Sequence, residues 1–117
     1  MSIQRVVPNI QSARFDESRS FYTEFLGFNL AMDMGWIATF VSPTNPTAQV
    51  TLLAEPSPAA PHPSISIEVA DVDAVHAKAI ARGLQIVYPL TDEPWGVRRF
   101  YVVDPNGVVI NVMSHSK

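Results

Sequence analysis

Apolar and polar positions alternate or cluster along this chain in an order that occurs twice. Ile3 to Ile10 is rich in β-branched residues and reads as a strand. Phe15, Tyr22, Phe25 and Leu26 then recur at helical spacing and predict one buried helix face. Asp16 and Glu17 stand at that helix's start, where the dipole favours acids, and Gly27 ends it. Three short strands are predicted next, at Phe28–Met32, Trp36–Val41 and Gln49–Leu53. Four prolines follow within Glu55–Pro63, which predicts a linker rather than helix or central strand. The order then repeats. Ile65, Ile67 and Val69 alternate with Ser64, Ser66 and Glu68. Asp71 is placed to cap a helix carrying Val72, Val75, Ala79 and Ile80, and Gly83 ends it. Strands are predicted at Gln85–Tyr88, Val97–Val103 and Val108–Met113, the last two joined by the turn Asp104-Pro105-Asn106-Gly107.

Each half therefore reads βαβββ, and the two helix-ending glycines lie 56 residues apart. The reading is one α+β domain over 1–117, with a first module at 1–55, a proline-rich linker at 56–63 and a second module at 64–117. Neither half is large enough to cover its own sheet, so the two pack on each other or on another chain.

Composition narrows the class. Apolar residues make up 47% and charged residues 16%, which suits a packed globule. The net charge is −3 and the eight basic residues are scattered, so no stripe exists for a phosphate backbone. With no cysteine there are no disulfides and no thiolate chemistry, which fits the cytoplasm. No apolar run reaches the roughly 20 residues of a membrane span, and the N-terminal residues do not read as a signal peptide.

Three segments carry a resemblance. Ser18-Arg19-Ser20-Phe21-Tyr22-Thr23-Glu24-Phe25-Leu26-Gly27-Phe28 resembles the S-x-x-FY-x-x-x-LGF segment of vicinal-oxygen-chelate proteins. Asp104-Pro105-Asn106-Gly107 with Val108–Val112 resembles their last hairpin, and Pro94-Trp95-Gly96 resembles the matching segment of bleomycin-resistance proteins. The chain is thus similar to the glyoxalase/bleomycin resistance/dioxygenase superfamily. The resemblance implies two βαβββ modules forming curled mixed sheets around a cleft, and a homodimer. In the family's enzymes it also implies a divalent metal held by His and Glu on the first and last strands of each module.

Here those positions align with Val7, Thr51, Ser64 and Asn111. Val7 has no donor atom, and the other three are neutral oxygens that suit a hard cation only beside carboxylates. The reading is a site with no metal and no cofactor, closest to the metal-free bleomycin-resistance-like members. Strand parity puts Thr51, Ser64, Ser66, Glu68 and Asn111 in the cleft, a Val103–Val108 pairing adds Arg98 and Phe100, the duplication adds Trp36 and Phe40, and the resemblance implies Trp95 there too. The tryptophans are expected to stack on a ligand and the polar groups to orient it. Glu68, between apolar walls, is a candidate general base with a raised pKa. His62, His76 and His115 are expected in the linker, on the helix surface and in a frayed tail.

Three functions follow. One is a binding protein that sequesters an antibiotic or flat metabolite. Another is a lyase, isomerase or dioxygenase, using a metal through other residues or Glu68 as base. The third is a non-catalytic regulatory or association domain. The mild charge, and Ser66 where a second drug-contacting tryptophan of the bleomycin-resistance proteins aligns, argue against bleomycin itself.

Overall fold

Period-two alternation builds the sheet, and two amphipathic helices cover one of its faces. The computed structural model describes residues 2–54 and 61–115. Its strands are β1 (Ile3–Gln11), β2 (Asn29–Asp33), β3 (Ile37–Val41), β4 (Gln49–Leu53), β5 (Ile65–Val69), β6 (Ile86–Glu93), β7 (Val97–Val103) and β8 (Val109–His115). Helix α1 (Phe15–Ser20) runs on into a π-helical turn at Phe21–Phe25, and α2 spans Val72–Ala81. The strands form one open mixed sheet in the order β2-β3-β4-β1-β5-β8-β7-β6. β1 and β5 are antiparallel neighbours at its centre, flanked by the parallel pairs β1–β4 and β5–β8. This is the expected α+β architecture. Linker residues 56–60 lie outside the described residues, and 61–63 carry no regular structure. Among the described residues no helix is long and apolar enough to cross a membrane.

The core lies between the helices and one sheet face, in two clusters. Under α2, Val72 and Ala79 pack on Val69, Phe100 and Val112, with Val75 and Ile67 at the margin. Asp71 caps this helix by accepting from the Ala74 amide at 3.1 Å. Under α1, Phe15, Tyr22 and Phe28 pack on Ala38, Phe40 and Leu52, and Tyr22 stacks on Phe40 at 5.3 Å.

Two apolar residues of the predicted α1 face are not in this cluster. Phe25 is 73% exposed and Leu26 is 51% exposed. The π turn explains this, since the Leu26 amide donates to the Phe21 carbonyl five residues back and the wider turn rotates the stripe outward. Gly27, at φ +87, then swings Phe28 back under the helix.

The last hairpin differs from the expected register by one residue. The loop holds three residues rather than four. Gly107 donates to the Asp104 carbonyl at 3.0 Å and itself sits at φ +82, a type I turn closed by a left-handed glycine. Val103 therefore faces Val109, Tyr101 faces Asn111, and Phe100 faces Val112. A slip of one residue exchanges the faces of a whole strand. Phe100 and Arg98 thus lie on the helix side, not in the cleft, and Phe40 does likewise in the first half. Phe100 is fully buried with His76 edge-on at 4.9 Å, so His76 packs against the core rather than lying free on the helix surface.

Phe100→Ala should therefore cost about 3–5 kcal/mol, as expected of an emptied core site. Chemical denaturation measures this, and a loss under 1 kcal/mol would return Phe100 to an open face.

Candidate functional site

The other sheet face lies away from both helices, and its side chains follow from cross-strand pairing. Paired residues share a face. Asn9 pairs with Thr51 and Thr51 with Thr39. Arg5 pairs with Glu68, Glu68 with Met113 and Met113 with Arg99. Val7 pairs with Ser66, Ser66 with Asn111, Asn111 with Tyr101 and Tyr101 with Tyr88. Of the sequence candidates, Thr51, Ser66, Glu68 and Asn111 are brought together here. Ser64, just before β5, is exposed and engages by its backbone, taking the Asn9 amide and donating to Val109. Arg98 instead binds Asp73 of α2 at 2.9 Å and Asp92 at 3.0 Å on the opposite face. Trp36 and Trp95 lie on opposite wings of the sheet, 51% and 58% exposed.

The face carries two sets of paired charges. In the first, Arg5 donates to Glu68 at 2.5 Å and to Gln49 at 2.5 Å, while Glu68 meets His115 Nδ1 at 2.6 Å. Both Arg5 and Glu68 are largely buried. Burial alone pushes the Glu68 carboxyl up, but the bonds and charges of His115 and Arg5 outweigh it and hold it below its ordinary value of 4.5. Glu68 is therefore a fixed carboxylate and not the raised-pKa base expected from its apolar neighbours. His115, expected in a frayed tail, is the last residue of β8 and pairs with Val97.

In the second set, Arg99 binds Glu93 at 2.6 Å, and Glu93 accepts from the Tyr88 hydroxyl at 3.0 Å. The Arg99 guanidinium also lies 5.1 Å from the Tyr101 ring and 5.3 Å from those of Tyr88 and Trp95. Three rings gathered around one cation make an aromatic wall. Burial pushes the Tyr101 hydroxyl up, so it stays protonated. Sequence reasoning missed Arg99, Tyr101, Tyr88 and Glu93. The misplaced hairpin register hid the first two, and the left-handed Gly107 was the available signal.

Beside these sets, one pairing step along the strands, lies a neutral centre. Asn9 and Asn111 both donate to the Ser66 hydroxyl, at 2.9 and 3.0 Å. His62 bonds the Asn9 carbonyl at 3.1 Å. This centre does not fit a divalent metal. Val7 offers no donor, and the Asn111 and Asn9 amides turn N–H groups toward Ser66. Glu68 is already held by a guanidinium, whose charge repels a cation. Among the described residues no three His, Cys, Asp or Glu side chains converge.

A family model described as the Glyoxalase/Bleomycin resistance protein/Dioxygenase superfamily matches residues 2–112. Solved structures of similar fold include a member of that superfamily from Vibrio splendidus 12B01, at TM-score 0.75 and 17% identity, covering 97% of this chain and 99% of that one. Methylmalonyl-CoA epimerase from Mycobacterium tuberculosis aligns at TM-score 0.73 and 18% identity, over 99% of this chain and 89% of that one. A homoprotocatechuate 2,3-dioxygenase variant from Brevibacterium fuscum aligns at 0.74 and 19%, over 99% of this chain and 33% of that one. At these identities the likeness is one of fold. A comparison with curated protein sequences returned no match.

The Glu68 pairing predicts a pH signature. A carboxylate with a depressed folded pKa stabilises fully above its unfolded pKa, and loses that contribution as pH falls through the folded value. Glu68→Gln should cost about 1–3 kcal/mol at neutral pH by breaking charge-assisted bonds. That difference should shrink as pH drops below 4.5. Paired urea melts at pH 7 and pH 3.5 measure it, and an equal difference at both would remove the charged pairing.

Proposed function

The chain belongs to the Glyoxalase/Bleomycin resistance protein/Dioxygenase superfamily, and from that premise we propose that it binds a flat, partly aromatic small molecule on its concave face without a metal. This is the manner of binding of the bleomycin-resistance-like members. The observation that carries the reading is the Arg99-centred wall. The Tyr88 and Tyr101 rings lie 4.7 Å apart at a tilt of 31°, Arg99 lies over both, and the half-exposed Trp95 forms the outer edge. A large ring held at the mouth by a cation is a stacking surface for a planar ligand. Sequestering an antibiotic or a flat metabolite is the function this geometry supports best.

A second reading rests on the Glu68–His115 contact. An ionised carboxylate that binds Nδ1 orients an imidazole for proton transfer at Nε2. In a metal-free enzyme of this fold, His115 is then the group that moves the proton and Glu68 the one that positions it. Turnover of a bound compound that is lost in His115→Gln, with binding retained, would favour this reading.

We also propose a homodimer. Phe21, Phe25, Leu26, Leu30, Met34 and Trp36 of the first half are all 43–73% exposed, an apolar burden heavy for a lone chain. Sedimentation at micromolar concentration should show dimer, and monomer alone would count against it.

Trp95→Ala tests the main reading. It should weaken binding of hits from a library of flat antibiotics and aromatic metabolites several-fold, since a stacking contact contributes about 0.5–1.5 kcal/mol beyond area burial. Stability should change little, because the ring is 58% exposed. Unfolding on substitution, or unchanged affinity, would displace the site from the wall.

A further inference from the structure

The imidazole of His115 and the Arg99-centred wall stand on the same sheet face, on neighbouring strands. His115 on β8 pairs with Val97 on β7, and Val97 pairs with Glu93 on β6. Paired residues share a face. Glu93 holds Arg99 at 2.6 Å, and the Arg99 guanidinium lies 5.3 Å from the Trp95 ring. At the usual strand spacing the backbones of His115 and Glu93 are about 10 Å apart, a gap that one planar bicycle between the two side chains can bridge. Val97 lies buried between them. Both sides of the gap are open to a ligand, since the His115 side chain is 52% exposed and Trp95 is 58% exposed.

The chemistry of the open imidazole nitrogen is set from behind. Glu68 meets Nδ1 at 2.6 Å, and among the described residues it is the ring's hydrogen-bond partner. Arg5 donates to the same carboxylate, which can only accept. Nδ1 therefore carries the hydrogen of the neutral ring, and Nε2 is left with a lone pair. The nearby cations do not compete for that lone pair. Arg5 is taken by Glu68 and Gln49, and Arg99 by Glu93. Stacking on the wall tolerates any flat ring, whatever its edge carries. An acceptor standing beside the wall does not.

We propose that Nε2 of His115 is the specificity-determining acceptor of this face, selecting planar ligands that carry an N–H or O–H donor at the ring edge, such as a phenol or an N–H heterocycle. The proposal rests on the binding function above and names the ligand class for the same wall. Glu68 is a positioning residue here, since it sets the tautomer and does not touch the ligand. No proton has to move, so the acceptor role holds whether or not a bound compound is turned over.

Indole and benzofuran test it by NMR titration, in buffer above the ordinary histidine range. They are planar bicycles of one shape, and only indole carries the N–H. Indole should bind about fivefold more tightly, the net contribution of one hydrogen bond. His115→Phe keeps a flat ring, removes the acceptor and should bring the ratio close to one. Glu68→Gln should also lower the ratio, because an amide can donate to Nδ1 and so lets Nε2 carry the hydrogen. Trp95→Ala should weaken both probes and leave their ratio above one. Equal affinity of the two probes for the wild type, or an unchanged ratio in His115→Phe or Glu68→Gln, overturns the acceptor. Should His115→Phe fail to fold, Glu68→Gln reads the same ratio. If the probes bind equally and both are lost in Trp95→Ala, the binding function stands without the acceptor. If neither the probes nor the flat-molecule library bind the wild type, both readings fall.

Discussion

Everything on the sheet face opposite the helices depends on the parity with which β1 meets β5. These antiparallel strands are the only junction in the described sheet between the first four strands and the last four. Their register sets Val7 against Ser66 and Arg5 against Glu68, and each then hands its face to the parallel neighbours β4 and β8. A slip of one residue here would turn one of the two strands over, taking either Arg5 and Asn9 or Glu68 to the opposite face. The two charges would part, and a partly buried charge left alone costs several kcal/mol. The Arg5–Glu68 pair therefore fixes register as well as charge. That is the use of a partly buried ion pair for which a hydrophobic pair of equal volume is no substitute.

The same junction explains why the site is built of mixed chemistry. Parallel strands buried on both faces would read as continuous apolar runs. β1 and β5 do not read that way: Ser66 and Glu68 alternate with Ile65, Ile67 and Val69 in β5, and in β1 Arg5 and Asn9 share their face with Val7. On the face away from the helices the positions are mixed, and Asn9, Asn111, Arg5 and Glu68 are largely out of water there. Glu68, Glu93, Arg5 and Arg99 survive there because each meets an opposite charge. Asn9 and Asn111 survive because Ser66 accepts from both.

The architecture was legible in the sequence because it rests on local signals. Alternation, the Asp71 cap and the glycines after each helix are consequences of backbone sterics within a few residues. Faces were legible where alternation was unbroken, as from Ser64 to Val69. They were not legible across a hairpin, because a three-residue and a four-residue loop fit the same Asp-Pro-Asn-Gly and differ by one position in register. That one position moved Arg98 and Phe100 out of the cleft and brought Arg99 and Tyr101 in. Extending the same parity to the first half by its likeness to the second carried Phe40 along and concealed Thr39. Phe25 and Leu26 escaped for another reason, since a π turn inside a helical pattern leaves no compositional mark. The Glu68–His115 contact joins residues 47 apart, and pairing at that range is not encoded in any local spacing.

Local consistency also separates the two faces by purpose. On the helix side, apolar residues meet apolar residues, and the charges of Arg98 and Arg19 find acids at the solvent edge. The concave side departs from what stability alone would select. It holds ion pairs where hydrophobic contacts of equal volume are often as stable or more so. It leaves the buried Asn111 Oδ1 without a partner. It keeps Trp95 half in water at the end of a cation–ring stack. Each departure is mild alone, and natural proteins carry a few. All three lie on one face, on β1, β5 to β8 and the hairpin between β6 and β7, and no helix covers them. A face that forgoes stability in three independent ways is not accounted for by packing alone.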